Sequence, residues 1–199
     1  MLLDKLKNYH LILGTKSPRR HQLMKDSGFQ FDIIVPQNIE ENYPENMELE
    51  QVPEFLAEVK ASLFSEKIKD KDIIITADTI VIFNNKILGK PSDRNDAISM
   101  LKMMRGNPHV VITGVCLLSK KKKKIFSEKT TVFFKNFSND EIIFYVDNYK
   151  PYDKAGSYGA QEWIGYVGIE KIEGSFFNVM GLPVHLLYIE LEKFIENDS

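Results

Sequence analysis

Cationic and hydroxyl side chains cluster where a short apolar run gives way to a helix start. The segment Gly14-Thr15-Lys16-Ser17-Pro18-Arg19-Arg20 has Ser17 and Pro18 in the order that is typical of a helix N-cap and first position. Unpaired backbone N–H groups at such a start bind anions, and the helix dipole adds to the attraction. Arg19 and Arg20 could bind phosphate oxygens in a bidentate manner. The alternative is two arginines on a solvated helix.

Arg20 occupies an unusual position for this helix start. A serine N-cap is often matched by Glu or Gln three residues later, but here that residue is Arg20. Its positive charge opposes the helix dipole, which would be understandable if an external anion filled the site. The chain has no GxxxxGK[ST] motif, so a P-loop kinase or ATPase is disfavoured.

A carboxylate follows the most apolar predicted strand. Asp78 comes after the run Ile73-Ile74-Ile75, at the expected strand end, and Thr79 beside it offers a hydroxyl. A carboxylate in such surroundings is unfavourable unless it is paired, hydrogen-bonded or metal-bound. Asp78 is therefore a candidate metal ligand or general base for a water nucleophile. A structural turn aspartate is the alternative.

Four further positions have side chains that suit nucleotide chemistry, each with a simpler alternative. Lys90 lies between Gly and Pro, and it could bind phosphate or be an exposed loop lysine. Glu41, preceded by Glu40, could bind Mg²⁺ or Mn²⁺ through oxygen or could simply be solvated. Lys60 flanks the apolar stripe of its helix and is otherwise a solvated lysine. Gln161 could read a base edge through its amide or satisfy backbone groups.

The elements that must position these residues alternate between strand and helix. Apolar periodicity predicts strands over residues 10–14, 29–35, 72–76, 80–83, 86–88, 110–118 and 125–134. Helices are predicted over residues 18–27, 52–68, 93–104, 139–148 and 184–196, with Ser17, Ser92 and Ser138 at their starts. Residues 36–53 read as a long loop. The pattern is typical of an α/β fold with a mixed sheet, in which ligands bind at strand ends near helix N-termini.

Composition limits the classes of partner. The 199 residues carry 26 basic and 28 acidic side chains, a net charge of −2, which argues against bulk binding to nucleic acid or anionic membrane. The five lysines Lys120 to Lys124 read as a solvated hairpin tip, with steering of an anionic substrate as the alternative. No signal peptide is recognisable, and no apolar run approaches the length of a membrane span, about 18 residues.

The single cysteine indicates a compartment. Cys116 lies in an apolar run without nearby cations, so we expect a buried small hydrophobe rather than a nucleophile. One cysteine cannot form an internal disulfide, which suits a reducing compartment. We therefore expect a cytoplasmic protein with no membrane partner.

Six motifs, in order and spanning nearly the whole chain, resemble those of the Maf family of nucleotide pyrophosphatases. They are Ser17-Pro18-Arg19-Arg20, Ala77-Asp78-Thr79, Gly89-Lys90-Pro91, His109-Val110-Val111-Ile112-Thr113-Gly114-Val115, Asp153-Lys154-Ala155-Gly156-Ser157-Tyr158 and Gly174-Ser175-Phe176-Phe177-Asn178-Val179-Met180-Gly181-Leu182-Pro183. The resemblance implies a single domain over residues 1–199, with a mixed twisted sheet, flanking helices and two lobes around a cleft, related to inosine triphosphate pyrophosphatases. It also implies hydrolysis of a nucleoside triphosphate to the monophosphate and pyrophosphate, with Mg²⁺ or Mn²⁺, and a possible homodimer.

The resemblance also implies roles for individual residues. Asp78 would be the catalytic acid/base and, with Glu41, the metal ligand. The residues that would bind substrate are Ser17, Arg19, Arg20, Lys60, Thr79, Lys90 and Gln161. The glutamine after the Ala-Gly-x-Tyr segment is similar to the branch that acts on dTTP and UTP. Glu162 and Trp163 depart from the small residues that often follow it, and Gly14-Thr15-Lys16 replaces the usual start of the first motif.

A second hypothesis concerns the function of the chain rather than its fold. The family name derives from inhibition of septum formation, so the chain could be a nucleotide-binding regulator of cell division without significant turnover. A third reading, a nucleic-acid-binding module, would depend on the run of lysines alone, and the balanced charge counts against it.

Overall fold

Strands and helices alternate through the first part of the chain, and hairpins dominate its middle. The computed structural model describes residues 1–36 and 42–196. Its strands are β1 His10–Leu13, β2 Asp32–Ile33, β3 Asp72–Phe83, β4 Lys86–Leu88, β5 Pro108–Leu118, β6 Lys123–Phe134 and β7 Ile169–Glu173. Its α-helices are α1 Leu2–Lys5, α2 Pro18–Asp26, α3 Val52–Ser62, α4 Arg94–Met104, α5 Asn139–Tyr149, α6 Trp163–Gly168, α7 Phe176–Met180 and α8 Val184–Glu196. Short 3₁₀ segments are Leu6–Asn8, Leu49–Gln51 and Ala155–Ser157.

The strands form a mixed sheet. Within the described residues the sheet has seven strands in the order β2-β1-β3-β5-β6-β7, and β4 pairs with β3. Strand β1 is parallel to both neighbours, with Ile12 opposite Asp32 on one side and Ile74 on the other. The pairs β3–β4 and β6–β7 are antiparallel. This arrangement confirms the predicted α/β class with a mixed sheet.

Strand β3 is longer than the sequence predicts. Its 12 residues join the two segments, 72–76 and 80–83, that were predicted to be separate strands. Asp78 therefore lies inside the strand rather than at its end. The predicted hairpin that follows is confirmed, because Asn84 and Asn85 have φ values of 49° and 56°, a left-handed conformation that asparagine tolerates well.

Several predicted helix starts and ends are confirmed, and others are wrong. Ser17 is the N-cap of α2, and Ser138 forms a capping box with Glu141 at the start of α5. The predicted cap Ser92 is wrong, because the Asp93 carboxylate accepts the first backbone N–H groups of α4 at 2.7 and 2.9 Å. Ser92 instead hydrogen-bonds to Asp96.

Two predicted elements are shorter in the structure. Helix α3 ends at Ser62 instead of reaching residue 68, and turns follow it. The predicted strand 29–35 is reduced to the two exposed residues of β2, because they pair only at the edge of the sheet with β1. The long loop predicted over 36–53 contains the 3₁₀ segment before α3.

The chain divides into two compact units. The first contains residues 1–78, 113–128 and the chain from 181 onward, and the second contains residues 79–112 and 129–180. In the core of the first unit, Ala57 and Ala61 of α3 pack with Cys116 of β5. Burial raises the pKa of the Cys116 thiol to about 12, so the prediction of a buried, inert cysteine is confirmed. In the core of the second unit, buried side chains of α4, α5 and β6 pack together.

Gly114 lets helix α3 approach strand β5 closely. A Cβ atom added to Gly114 would lie 2.3 Å from the backbone carbon of Pro53 and 2.4 Å from the nitrogen of Glu54. No side chain other than hydrogen fits there without moving backbone. On the next strand the Thr76 hydroxyl donates to the Ala57 carbonyl at 2.6 Å. Helix α3 is thus fixed to the sheet at two points.

The run of lysines is paired within the first unit. Lys120 and Lys124 lie 3.0 and 3.6 Å from carboxylate oxygens of Asp70 and Glu190, and Lys123 pairs with Glu58. The ammonium of Lys122 lies 4.7 Å from the centre of the Phe194 ring. The run begins at a turn and continues into β6, so only its first part is the predicted hairpin tip. Within the described residues, the helices are all too short or too polar to cross a membrane.

Candidate functional site

The loop between β1 and α2 is held to the sheet by close packing. Gly14 donates its backbone N–H to the Ile75 carbonyl at 2.8 Å. A Cβ on Gly14 would lie 2.9 Å from the Thr76 methyl group, so a larger residue would push the loop away. The ring nitrogen Nε2 of His21 lies 2.8 Å from the Thr15 carbonyl oxygen and ties the loop to the helix. The first turn of α2 is therefore fixed near the middle of β3.

Arg20 fastens that turn to two other segments. Its Nε donates to the Gly181 carbonyl at 2.7 Å, and its Nη1 donates to the Ala77 carbonyl at 2.8 Å. The Ser17 hydroxyl accepts the Arg20 backbone N–H at 3.5 Å, as the N-cap. The sequence suggested that Arg20 faces an external anion. In the structure these guanidinium N–H groups bind backbone carbonyls, which offsets the unfavourable position of the charge at a helix start.

Lys60 and Asp78 form a largely buried ion pair. The Lys60 Nζ lies 2.5 Å from Asp78 Oδ1, and the two side chains are only 9% and 13% exposed. The solvated lysine considered as the simpler alternative for Lys60 is therefore wrong. A buried ion pair is retained against a large desolvation penalty, so it is a candidate for a functional site.

Periodicity explains why these two residues meet. Thr76 and Asp78 are two residues apart on β3, so both side chains point to the same face of the sheet. Ala57 and Lys60 are three residues apart on α3, so they share one face of the helix. The hydrogen bond from Thr76 to the Ala57 carbonyl sets this register, and Lys60 then reaches Asp78.

The first unit thus brings four predicted site residues to one place. Helix α2 contributes Ser17 and Arg20, α3 contributes Lys60, and β3 contributes Asp78, next to the Ala77 carbonyl that Arg20 binds. Arg19 lies half-buried in the same first turn of α2. Cations, a carboxylate and a helix N-terminus in one place can bind a polyphosphate and accept a proton from water.

The second unit holds three further predicted residues, Thr79, Lys90 and Gln161. Thr79 follows Asp78 on β3 and is half-buried. Lys90 is exposed after β4, and the carbonyl of the preceding Gly89 accepts the Gly156 N–H at 3.0 Å, which fixes the loop that carries it. Gln161 is half-buried, and its Oε1 is buried without a hydrogen-bond partner among the residues that the structure describes.

A polar network that the sequence did not predict is centred on Glu162, the residue after Gln161. Tyr145 donates its hydroxyl to Glu162 and accepts the backbone N–H of Gly159 at 3.0 Å. The Lys154 ammonium lies 3.1 Å from the other carboxylate oxygen of Glu162, and the lysine side chain is 9% exposed. Burial and the Glu162 carboxylate both raise the pKa of the Tyr145 hydroxyl, so it stays protonated and donates. The one local indication in the sequence was Glu162 itself, which stands where the family often has a small residue.

The predicted metal ligands are described only in part. Glu41 lies outside the described residues, so its contacts are not part of this structure. Among residues 1–36 and 42–196, no group of three or more His, Cys, Asp or Glu residues could hold a metal ion. Asp78 is nevertheless a hard oxygen ligand, and Mg²⁺ is commonly held by one or two carboxylates together with substrate phosphates. The chemistry of Asp78 fits such a shared ion.

Comparisons with known proteins agree with the geometry. A family model described as "Maf-like protein" matches residues 10–194. A dTTP/UTP pyrophosphatase of Porphyromonas gingivalis is 47% identical over 199 residues, covering 99% of this chain and 100% of its own. A dTTP/UTP pyrophosphatase of Bacteroides fragilis is 47% identical over 192 residues, covering 96% of this chain and 100% of its own.

A solved structure supports the fold. The Staphylococcus aureus Ham1 protein superposes with a TM-score of 0.53 at 13% sequence identity, covering 96% of this chain and 100% of that one. At this identity the likeness concerns the fold alone, and it confirms the α/β architecture expected from the sequence.

Proposed function

The chain belongs to the Maf family, and on that premise we propose that it is a nucleoside triphosphate pyrophosphatase that hydrolyses dTTP and UTP to the monophosphate and pyrophosphate. Relatives that are 45–47% identical over nearly their full length are named for this activity. A role in removing non-canonical or excess nucleotides would follow from the same reaction. We also propose that residues 1–199 form one functional domain.

The buried pair of Lys60 and Asp78 is the observation that carries the proposal. An incoming triphosphate offers oxygens that compete with Asp78 for the Lys60 ammonium. The exchange would leave the Asp78 carboxylate able to accept a proton from a water molecule attacking phosphorus. Lys60 would then stabilise negative charge on the phosphates, where positioning and electrostatics supply most of the rate.

The remaining cations are assigned to the phosphates. The N-terminal turn of α2, with Ser17 and Arg19, is suited to an anion because the positive end of the helix dipole lies there. Arg20 supports the same turn through its bonds to Ala77 and Gly181, besides any contact with phosphate. Lys90, exposed in its fixed loop, is a further phosphate-binding residue.

The nucleoside is assigned to two polar side chains. Gln161 has an amide that can pair with a pyrimidine edge, and Thr79 offers a hydroxyl donor and acceptor. Both assignments derive from the positions of these residues in the family motifs. The Oε1 of Gln161, which has no hydrogen-bond partner within residues 1–36 and 42–196, supports the first.

A divalent metal, Mg²⁺ or Mn²⁺, is part of the proposal. Asp78 and Glu41 would hold it, both through carboxylate oxygens. When bound, such an ion neutralises charge on the phosphate oxygens and polarises the bond to be cleaved.

The proposal extends to the setting of the enzyme. The single buried thiol and a nucleotide substrate favour the cytoplasm, and a homodimer is expected from the family. We expect no nucleic-acid partner, because Lys120, Lys122, Lys123 and Lys124 are already engaged within the first unit. A regulator of septum formation without turnover is not favoured, since the relatives described above are named for catalysis.

A pyrophosphate-release screen tests the proposed function. Purified protein is incubated with dTTP, UTP, CTP, ATP, GTP and modified pyrimidine triphosphates, with Mg²⁺, Mn²⁺ or a chelator. We expect monophosphate and pyrophosphate from dTTP and UTP, and no turnover with chelator. Release of inorganic phosphate with a diphosphate product would contradict the reaction. Nucleotide binding without any turnover would support the regulator instead.

A further inference from the structure

Gln161 stands at the tip of a tightly held turn. The Glu162 backbone N–H donates to the Gly159 carbonyl at 3.0 Å, which makes Gln161 the third residue of a β-turn. Helix α6 begins directly afterwards, and the Gly165 N–H donates to the Glu162 carbonyl at 2.9 Å. A Cβ on Gly165 would lie 1.8 Å from the Ala160 carbonyl oxygen, so helix and turn are in direct contact. The backbone at Gln161 is therefore fixed.

The Glu162 carboxylate is held at both oxygens. Tyr145 donates to Oε2, and the Lys154 ammonium lies 3.1 Å from Oε1. Tyr145 is fully buried, and its hydroxyl also accepts the Gly159 N–H. Because both of its oxygens are bound, the carboxylate cannot rotate away from the turn.

This carboxylate lies beside the Gln161 amide. The Nε2 of Gln161 and the carboxylate carbon of Glu162 would lie 3.0 and 2.9 Å from a Cβ added to Gly159, so both groups cover the same small residue. A carboxylate attracts an amide N–H and repels an amide oxygen. The negative charge of Glu162 therefore favours one of the two amide orientations of Gln161, with Nε2 on the carboxylate side and Oε1 away from it.

The favoured orientation leaves an acceptor unused. Oε1 of Gln161 is buried and has no hydrogen-bond partner among the described residues. A buried acceptor without a partner is unfavourable, and a hydrogen-bond donor on a ligand would satisfy it. Uracil and thymine carry a donor at N3, whereas cytosine carries an acceptor at the same position.

We propose that Glu162, held by Tyr145 and Lys154, is a positioning residue that orients Gln161 so that its Oε1 accepts the N3–H of uracil or thymine. Cytosine is rejected because its N3 lone pair would face the same oxygen. This inference rests on the proposed function, since it assigns the orientation of Gln161, and with it the base selectivity of that activity, to Glu162, Tyr145 and Lys154.

A substrate-ratio experiment tests the inference. The value of kcat/KM is measured for UTP and for CTP with the wild type, Glu162→Gln, Tyr145→Phe and the control Glu170→Gln, which changes an exposed glutamate. A neutral side chain at position 162 no longer favours one orientation of the Gln161 amide. The amide can then rotate and donate its NH₂ to cytosine N3. We expect the UTP/CTP ratio to fall about tenfold or more in Glu162→Gln, the size expected for one lost hydrogen bond in base discrimination.

The other variants complete the test. Tyr145→Phe should move the ratio in the same direction by a smaller factor, because the charge of Glu162 remains. Glu170→Gln should keep the wild-type ratio. Melting temperatures are measured for each variant, and if Glu162→Gln does not fold, the ratio of Tyr145→Phe decides.

The outcomes separate this inference from the proposed function. An equal loss of kcat/KM for UTP and CTP would mean a merely structural role for Glu162 and would overturn the inference. Wild-type protein that hydrolyses CTP as fast as UTP would overturn it as well, while leaving the pyrophosphatase intact. A wild type that releases no pyrophosphate from any triphosphate would refute the proposed function itself.

Discussion

The guanidinium of Arg20 is hydrogen-bonded through Nε to the carbonyl oxygen of Gly181, 161 positions away in the sequence, at 2.7 Å. A second N–H of the same group binds the Ala77 carbonyl. One planar side chain thus joins the start of α2, the middle of β3 and the segment before α8. Its guanidinium group stabilises the fold at a position where the sequence suggested either a phosphate contact or a solvated arginine.

We predict that Arg20→Lys lowers stability more than Arg19→Lys does. A lysine ammonium cannot bind both carbonyls in the geometry of the guanidinium fork. Each carbonyl left without its partner costs about 1–3 kcal/mol where water cannot replace the donor. Urea unfolding of the two variants and the wild type measures the difference. Equal midpoints for Arg19→Lys and Arg20→Lys would contradict the structural role of Arg20.

We predict that Asp78→Asn reduces kcat for UTP by at least about 10²-fold, the usual contribution of a general base. The change keeps the shape of the side chain and removes its negative charge. Steady-state pyrophosphate release measures kcat, with the exposed Asp70→Asn as a matched control that should remain near wild type. Near-normal turnover by Asp78→Asn would remove Asp78 from its assigned role.

The histidine at the start of β1 should make stability depend on pH. His10 Nε2 lies 2.8 Å from Asp32 Oδ2, and Nδ1 lies 3.0 Å from Asp72 Oδ1. The hydrogen bond to Asp32 raises the pKa of His10 most, and the hydrogen bond to Asp72 raises it further above its ordinary value. The stabilisation is fully present below the unfolded-state pKa, about 6.5, and is lost as pH rises through the higher folded-state value.

His10→Gln tests this dependence. The difference in unfolding free energy between wild type and variant should be larger at pH 5.5 than at pH 9. Chemical denaturation at both pH values measures it, with His185→Gln as a histidine control outside this cluster. A difference that is constant, or that grows toward high pH, would mean that protonated His10 does not join the three strands.

Neutralising the run of lysines should leave catalysis intact. With Lys120 to Lys124 all replaced by Gln, we expect kcat and KM for UTP within about twofold of wild type, since exposed ion pairs contribute little. The melting temperature should fall modestly, because the pairs with Glu58 and Glu190 and the contact with Phe194 are lost. A large rise in KM that tracks ionic strength would favour the steering role instead.

The sequence predicted local features better than long-range ones. The Ser17 cap, the Asn84-Asn85 hairpin and the isoleucine-rich strand follow from neighbours within a few residues, and the structure confirms them. The predicted break in β3 was wrong, because a polar Ala-Asp-Thr segment can stay in a strand when sheet neighbours and a buried lysine satisfy it. The spacing of apolar residues in the sequence does not show that such partners are present.

Partners far apart in the chain could not be predicted in the same way. Lys60 and Asp78 are 18 residues apart, and Tyr145 and Glu162 are 17 apart. Their contacts depend on how helices pack, which no local pattern determines. The family motifs identified Lys60 and Asp78 as site residues, but only the structure joins them as a pair. Tyr145 and Lys154 had no assigned role until the packing around Glu162 was known.

Gly114 leaves almost no room for a side chain between strand β5 and helix α3, although it is not itself a proposed site residue. Any side chain there would displace the backbone of Pro53 and Glu54, and with it the whole of helix α3. Lys60 is carried by that helix, so Gly114→Ala should retract the ammonium from Asp78 and depress kcat without altering a single reacting group. A crystal structure and turnover of Gly114→Ala would reveal the retraction, and unchanged kcat with an unmoved helix would refute it. Under the proposed roles of Lys60 and Asp78, the spacing between α3 and β5 is a catalytic parameter that one missing methyl group sets.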